Sequence, residues 1–371
     1  MKVLKATVQG GFPIFVGEGA RELLLEQVER LAPDRVFVVT DRTVETLHLE
    51  EIRAQIPSAV PHDVVLLNEG EENKNLATLQ LVAGDLLHAG ATPRSLILNA
   101  GGGMVLNLGG LAASLLHHGV RFAHVATTVM GQTEVVASNR QAVNLVGDRN
   151  ALGLYRSPEF AAADPYFLES EPERQRRAAL AELARLGLVA GGLLFDGLLE
   201  LFSQDGFDAP PTLARTVEGA LERVLDLGRA DPREEARAHA EAYGAEVGRA
   251  LERVADGKLL AGEARLFGML VTGEIARALG LMPPAEYQRH QALLAAVKGA
   301  LAFPQHVRAD RVVYQIHGNN KTLLGSAPIL LLSGVGRIAG TSNGPDPLRR
   351  VDTPDTVMAD AIEKARADAL L

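Results

Sequence analysis

Residues 94–132 read RSLILNAGGGMVLNLGGLAASLLHHGVRFAHVATTVMGQ, and this stretch decides the fold. Residues 95–99 form an apolar run of strand length. Gly101, Gly102 and Gly103 follow it directly. Three glycines let the backbone approach a pyrophosphate and turn its N–H groups toward the anion. The helix expected over about 105–117 adds its positive end. A triple glycine also suits an ordinary tight strand–helix turn, so position carries the argument. The turn follows a buried strand, and a second strand, 121–126, comes one helix later. Thr127 and Thr128 then stand where a hydroxyl reaches a bound cofactor. The outline is that of a nucleotide site.

Toward the N-terminus, residues 3–9 and 13–16 read as short strands and 20–30 as an amphipathic helix. The Val/Phe run of 35–41 is a buried parallel strand ending in Asp41. An acid there either bonds a ribose hydroxyl or caps a helix over 43–49. The strand 64–68 runs into a polar loop, 69–75, ahead of a helix over 76–89. That loop reads as a solvated cap, or as a clamp with Lys74 near phosphate and Glu71 near a ribose.

Beyond Gln132 the pattern turns irregular and loop-rich. Arg140, Asn144, Arg149 and Asn150 fall there. Two arginines and two amides suit a phosphorylated or polyhydroxylated ligand; the alternative is a loop with ordinary polar side chains. Asp164-Pro165 marks the expected hinge. From Glu171 to about 300, helical periodicity dominates. Asp231-Pro232 opens a helix that extends to Ala255, further helices cover 262–280 and start at Pro283-Pro284, and a closing helix begins at Thr353-Pro354 and runs through Leu370. Residues 329–333 and 337–339 suggest a small hairpin. The expectation is an α/β fold: a Rossmann-like N-terminal domain over 1–168 and an all-α C-terminal domain over 169–371.

The chain has 371 residues, 47% of them apolar, and a net charge of −9. That is enough for two cored domains and argues against a nucleic-acid surface. Cysteine is absent, which removes disulfides and thiolate metal sites. The first residues read as a strand and not a signal peptide, and no apolar run reaches the roughly 20 residues of a membrane helix. The expectation is a cytoplasmic protein that engages neither membrane nor nucleic acid.

The order Thr40-Asp41, Gly70-Glu71-x-x-Lys74, Gly101-Gly102-Gly103, Gly119-Val120-Arg121-Phe122, Thr127-Thr128, Gln132, Asn144, Arg149-Asn150, Gly153 and Tyr155 resembles dehydroquinate synthase and the related sugar-phosphate cyclases. The resemblance covers most of the chain and is densest over about 70–170. It implies a Rossmann-like domain plus a helical domain, a homodimer, and NAD as cofactor. It also implies a reaction in which NAD oxidises a sugar-phosphate alcohol, phosphate leaves, the hydride returns and an aldol step closes the ring. A divalent metal, held by a Glu and two His, assists in the family.

Of those three ligands Ala181-Glu182-Leu183-Ala184-Arg185 keeps the Glu. The family's G-H-x-x-G-H motif reads Gly244-Ala245-Glu246-Val247-Gly248-Arg249, and its H-G-E-A motif reads Ala261-Gly262-Glu263-Ala264. Both metal histidines are therefore alanines, and a zinc site needs three or four well-placed donors. Other positions differ too: Asn107 and Glu134 stand for aspartates, Arg140 and Arg149 for lysines, His118, Ala238 and Ala242 for other polar residues, and Val224, with Arg223 beside it, for a helical-domain lysine. Lys321 keeps a phosphate lysine.

The resemblance thus implies cofactor contacts at Asp41, Glu71, Lys74, Gly101, Gly102, Gly103, Asn107, Thr127 and Thr128. It places substrate contacts at Glu134, Arg140, Asn144, Arg149 and Asn150, and catalytic positions at Glu182, Arg249 and Lys321; no metal ligand set is expected. The ligand expected is a small phosphorylated sugar or cyclitol. Three functions compete: a family member that binds NAD or a phosphorylated ligand without metal-dependent cyclase chemistry, an active cyclase with an altered substrate, and a metal-independent polyol oxidoreductase.

Overall fold

The computed structural model describes residues 1–6, 11–146, 148–204, 206, 209–230, 235–256, 258–298, 303–304, 306–320, 325–340 and 348–368. The chain opens with β1 (Lys2–Lys5) and β2 (Pro13–Val16), an antiparallel pair. A 3-10 turn leads into α1 (Leu23–Leu31), followed by β3 (Val36–Asp41), α2 (Arg42–Arg53), β4 (His62–Leu67), α3 (Leu76–His88), β5 (Leu96–Gly101), α4 (Gly103–Leu115) and β6 (Arg121–Ala126). A π-helical turn, Gly131–Val135, precedes β7 (Arg140–Leu145), β8 (Asp148–Tyr155) and β9 (Ala161–Ala163).

Seven strands form one sheet in the order β1-β2-β9-β6-β5-β3-β4, with every pair but β1–β2 parallel. The apolar runs of β3 and β5 are buried on both faces, as parallel strands require. Val36, Val38, Leu96 and Leu98 face one core, shared with α1 and α2. Phe37, Val39, Ile97 and Phe122 face the other, with α3, α4 and Val143 of β7. The chain leaves β3 over one face and β5 over the opposite face, so the strand order reverses between them. Ligands of open α/β sheets bind outside the carboxyl ends of the strands at such a point.

The second half carries α5 (Glu173–Ala190), α6 (Gly192–Phe202), α7 (Pro210–Ala230), α8 (Glu235–Ala242), α9 (Ala245–Val254), α10 (Ala261–Ala278), α11 (Pro284–Lys298) and α12 (Ala309–Asn320). It ends with β10 (Ser326–Ile329), β11 (Leu332–Gly334), β12 (Arg337–Ile338), β13 (Val351–Pro354) and α13 (Asp355–Asp368). β10 pairs with β13 and β11 with β12, so this half is helical with two small ribbons.

Four readings need correction. Residues 140–155 are a β-hairpin and not loop: Arg140 pairs with Tyr155 and Val143 with Leu152, an alternation masked by its polar residues. Asp164 is no hinge. It is fully buried, caps the turn Pro165–Ser170 through Tyr166 N, and pairs with Arg21 at 2.9 Å. The helix expected to reach Ala255 breaks at Gly244, which is left-handed (φ 69°); an added Cβ there would lie 2.9 Å from Met269 N. Its expected cap at Asp231-Pro232 lies outside the described residues. The division of the chain is also not a single cut after residue 168. One compact unit is Met1–Pro172 with Ala209–Ala230, and the other is Glu173–Asp208 with Asp231–Leu371. The returning segment is α7, which packs on the two short turns at 131–135 and 165–170.

Candidate functional site

The glycine turn sits at the strand-order reversal. Gly101 ends β5, Gly102 is the N-cap of α4 and Gly103 its first residue. No side chain caps this helix, so its first-turn N–H groups are left for a ligand. The turn is closely packed and requires glycine: a Cβ on Gly101 would lie 2.7 Å from Val105 Cβ, and one on Gly102 would lie 3.1 Å from Thr128 Cγ2. Thr127 N donates to Gly101 O at 3.0 Å, and Thr128 Oγ1 accepts from Gly131 N at 3.1 Å. Asn107, one turn into α4, donates to Gly103 O at 2.9 Å.

Asp41, at the end of β3, caps α2 by accepting from Val44 N at 2.9 Å. Burial, with the charge of Glu69 adding to it, pushes its carboxyl above the usual range. Glu69 itself accepts from Thr43 Oγ1 at 2.7 Å. The capping role is thus realised, and the carboxylate stays at the carboxyl edge of the sheet.

The loop 69–75 and the hairpin β7–β8 come together. Lys74 is buried and donates from Nζ to Asn150 Oδ1 at 2.5 Å. Asn150 N donates to Asn144 Oδ1, and Asn144 Nδ2 to Glu71 Oε1, each at 2.9 Å. Four of the predicted residues therefore form one cluster. Arg140 is half-buried at the start of β7, Arg149 is exposed on β8, and Glu134 is half-buried on the π-helical turn; none of these three is placed in that cluster by a bond described here.

In the helical unit, Glu182 of α5 is buried and accepts from Arg185 Nε at 2.6 Å. Ala245 and Ala261 are the first residues of α9 and α10. A Cβ on Gly262 would lie 2.2 Å from Ala178 O, so α10 meets α5 backbone to backbone one turn before Glu182. The other nearby acids are also committed. Glu246 pairs with Arg350 at 2.9 Å, and burial raises its pKa. Glu263 takes both Arg174 nitrogens at 2.6 Å and caps Leu260 N. His239 lies on α8, across the break from α9. Among the described residues no three His, Asp or Glu side chains gather as a metal-binding group. Arg249 is half-buried on α9, where Glu246 feels its charge. Lys321 lies outside the described residues.

Sequence reasoning missed Gln132 as a site-shaping residue. Its buried amide donates to Ala126 O at 2.9 Å and Asp164 O at 2.6 Å, tying the carboxyl ends of β6 and β9 beside Thr127. It also missed why α4 carries Gly109 and Gly110. A Cβ at either would lie 2.0 Å from the Asn99 or Gln141 side-chain oxygen. A cavity of about 800 Å³ in the first unit, lined by Gly17, Arg21, Tyr166 and Arg215 among others, contains none of the predicted site residues.

The model of the 3-dehydroquinate synthase N-terminal domain matches residues 64–178, and that of the C-terminal domain residues 179–322. The chain is 31% identical to 2-deoxy-scyllo-inosose synthase of Streptomyces ribosidificus, over 97% of this chain and 93% of that one. The fold is that of the crystal structure of a 2-deoxy-scyllo-inosose synthase complexed with carbaglucose-6-phosphate, NAD+ and Co2+ (TM-score 0.82, 24% identity, 98% and 99% of the two chains). It is also that of 2-epi-5-epi-valiolone synthase from Streptomyces hygroscopicus with NAD+ and Zn2+ bound (TM-score 0.74, 21% identity, 98% and 99%). Both of those proteins hold a divalent ion, which weighs against the expectation of a metal-free site. No described helix is long and apolar enough to cross a membrane.

Proposed function

This chain belongs to the 3-dehydroquinate synthase-like family of sugar-phosphate cyclases, and from that premise we propose that it binds NAD and a phosphorylated, polyhydroxylated ligand without the divalent-metal chemistry of its relatives. The NAD+ held by the two cyclases of like fold supports the cofactor, and the glycine turn with its uncapped helix start fits it. NAD, when bound, supplies a hydride acceptor for an alcohol carbon. The chain's own contribution is to bind and orient: the uncapped α4 N-terminus offers its N–H groups to the pyrophosphate, and the hydroxyls of Thr127 and Thr128 flank the turn. Asp41 and Glu69 hold negative charge where a ribose would lie.

The single observation that carries the metal-free reading is the state of Glu182. Its carboxylate is neutralised by Arg185, and the two positions that bear histidine in the family are Ala245 and Ala261. A carboxylate already paired with a guanidinium, with alanine at both of the family's histidine positions, does not make a divalent site. The donor set does not fit the ion. Arg140 and Arg149 retain anion-binding charge but, always protonated, serve no general-base role.

The test is a pair of measurements on the purified chain: NAD+ titration by calorimetry, and turnover of hexose and heptulose phosphates with zinc or cobalt supplied. NAD+ binding without ring product supports the reading. Ring product that depends on added metal refutes it and restores the active-cyclase alternative.

A further inference from the structure

We infer that Asn144 and Asn150 are positioning residues that hold the 69–75 loop for NAD, and not ligands of the sugar phosphate; this rests on the NAD reading above. The hairpin register is broken where they lie: Val143 faces Leu152 and Leu145 faces Asp148, so Asn144 alone opposes three residues of β8. Such a bulge redirects the chain. Asn150 occupies it in the left-handed region (φ 54°), a conformation asparagine tolerates better than most residues.

The consequence is a latch made from two amides. Asn144 N donates to Lys74 O at 2.8 Å, while its side chain reaches Glu71 Oε1 and the Glu71 carbonyl. Its Oδ1 in turn fixes Asn150 N, which aims Asn150 Oδ1 at the Lys74 ammonium. The backbone N–H and both atoms of the side-chain amide of Asn144 are thereby spent inside the protein. Lys74 is only 4% exposed, and a buried ammonium is stable there because an oriented acceptor meets it. Since β4 runs parallel to β3 and β5, the loop after it lies on the same carboxyl edge as the glycine turn.

The experiment uses the full chain with Asn150→Gly and Asn150→Asp. Glycine keeps the left-handed backbone and removes only the amide; aspartate keeps an acceptor for Lys74. In ligand-free protein, hydrogen exchange of the 70–75 amides should rise about tenfold in N150G and stay near wild type in N150D. NAD+ affinity should fall about tenfold in N150G and recover in N150D, while glucose 6-phosphate binding is unchanged in both. Unchanged exchange in N150G overturns the latch. Faster exchange with undiminished NAD+ affinity, or a matching loss of glucose 6-phosphate binding, overturns the cofactor assignment. Should the wild-type chain bind no NAD+, the NAD reading and the cofactor assignment fall together, and the exchange arm separately decides whether the two amides hold the loop.

Discussion

Arg185 donates to the Glu182 carboxylate at 2.6 Å from one helical turn along α5, with both side chains 7% exposed. In the proposed metal-free reading, the pair takes up the one ligand position that the sequence shares with the metal-binding motif of the family. Removing one partner takes this charge-paired bond from the other in a site largely cut off from water. Arg185→Met should therefore destabilise the helical unit by about 3–5 kcal/mol, and Glu182→Gln combined with Arg185→Met by much less. Chemical denaturation of the two single variants and the double variant reads this directly; additive losses would show that the pair is not coupled.

The glycine turn makes a second prediction. Gly101→Ala places a Cβ 2.7 Å from Val105 Cβ, a fully buried branched side chain in the first turn of α4. The helix start must shift, so NAD+ affinity should drop more than about tenfold. Calorimetric titration checks it, and undiminished affinity would move the cofactor elsewhere.

A control within the same sheet unit runs the other way. Gly84 lies inside α3 with nothing within 4 Å of an added Cβ. Gly84→Ala should raise stability by about 0.5–1 kcal/mol and leave NAD+ binding alone. A lower melting temperature would contradict the packing described.

Acid sensitivity follows from two buried imidazoles, one in each unit. Burial holds His124 down to about 3 and His290 down to about 4, from an ordinary 6.5. His290 is bonded to Tyr243 Oη at 2.7 Å. Both are neutral when folded and take a proton readily when unfolded, so the unfolded chain binds more protons below pH 6.5. Stability is then complete above that pH and lost as pH falls toward 4 and 3, at up to about 1.4 kcal/mol per pH unit for each ring. His290→Gln should flatten its share of that slope in a melting series from pH 7 to 4; an unchanged slope would rule out this ring as its source.

The sheet half was legible because its signals are local. An apolar strand, three glycines and a helix start announce themselves within ten residues, whereas the strand-order reversal between β3 and β5 became visible only in the sheet. The 140–155 hairpin was hidden because its bulge at Asn144 and its polar residues break the two-residue period. The break at Gly244 was hidden for a different reason: a single glycine reads as tolerated inside a helix until Met269 of another helix is seen against it. Site residues on separate helices, such as Glu182 and Ala261, were paired only through family resemblance, since spacing carries no tertiary information. The arginine partners of Glu246 and Glu263 became visible only in the structure, because they lie far along the chain.

The metal-free reading turns on whether the helical unit takes up a divalent ion. Cobalt titration of the metal-stripped chain, followed by visible absorption, reads this most directly. No cobalt ligand-field bands and no stoichiometric binding are expected at micromolar metal, with or without NAD+ present. One equivalent of tightly bound cobalt, lost on Glu182→Gln, would contradict it.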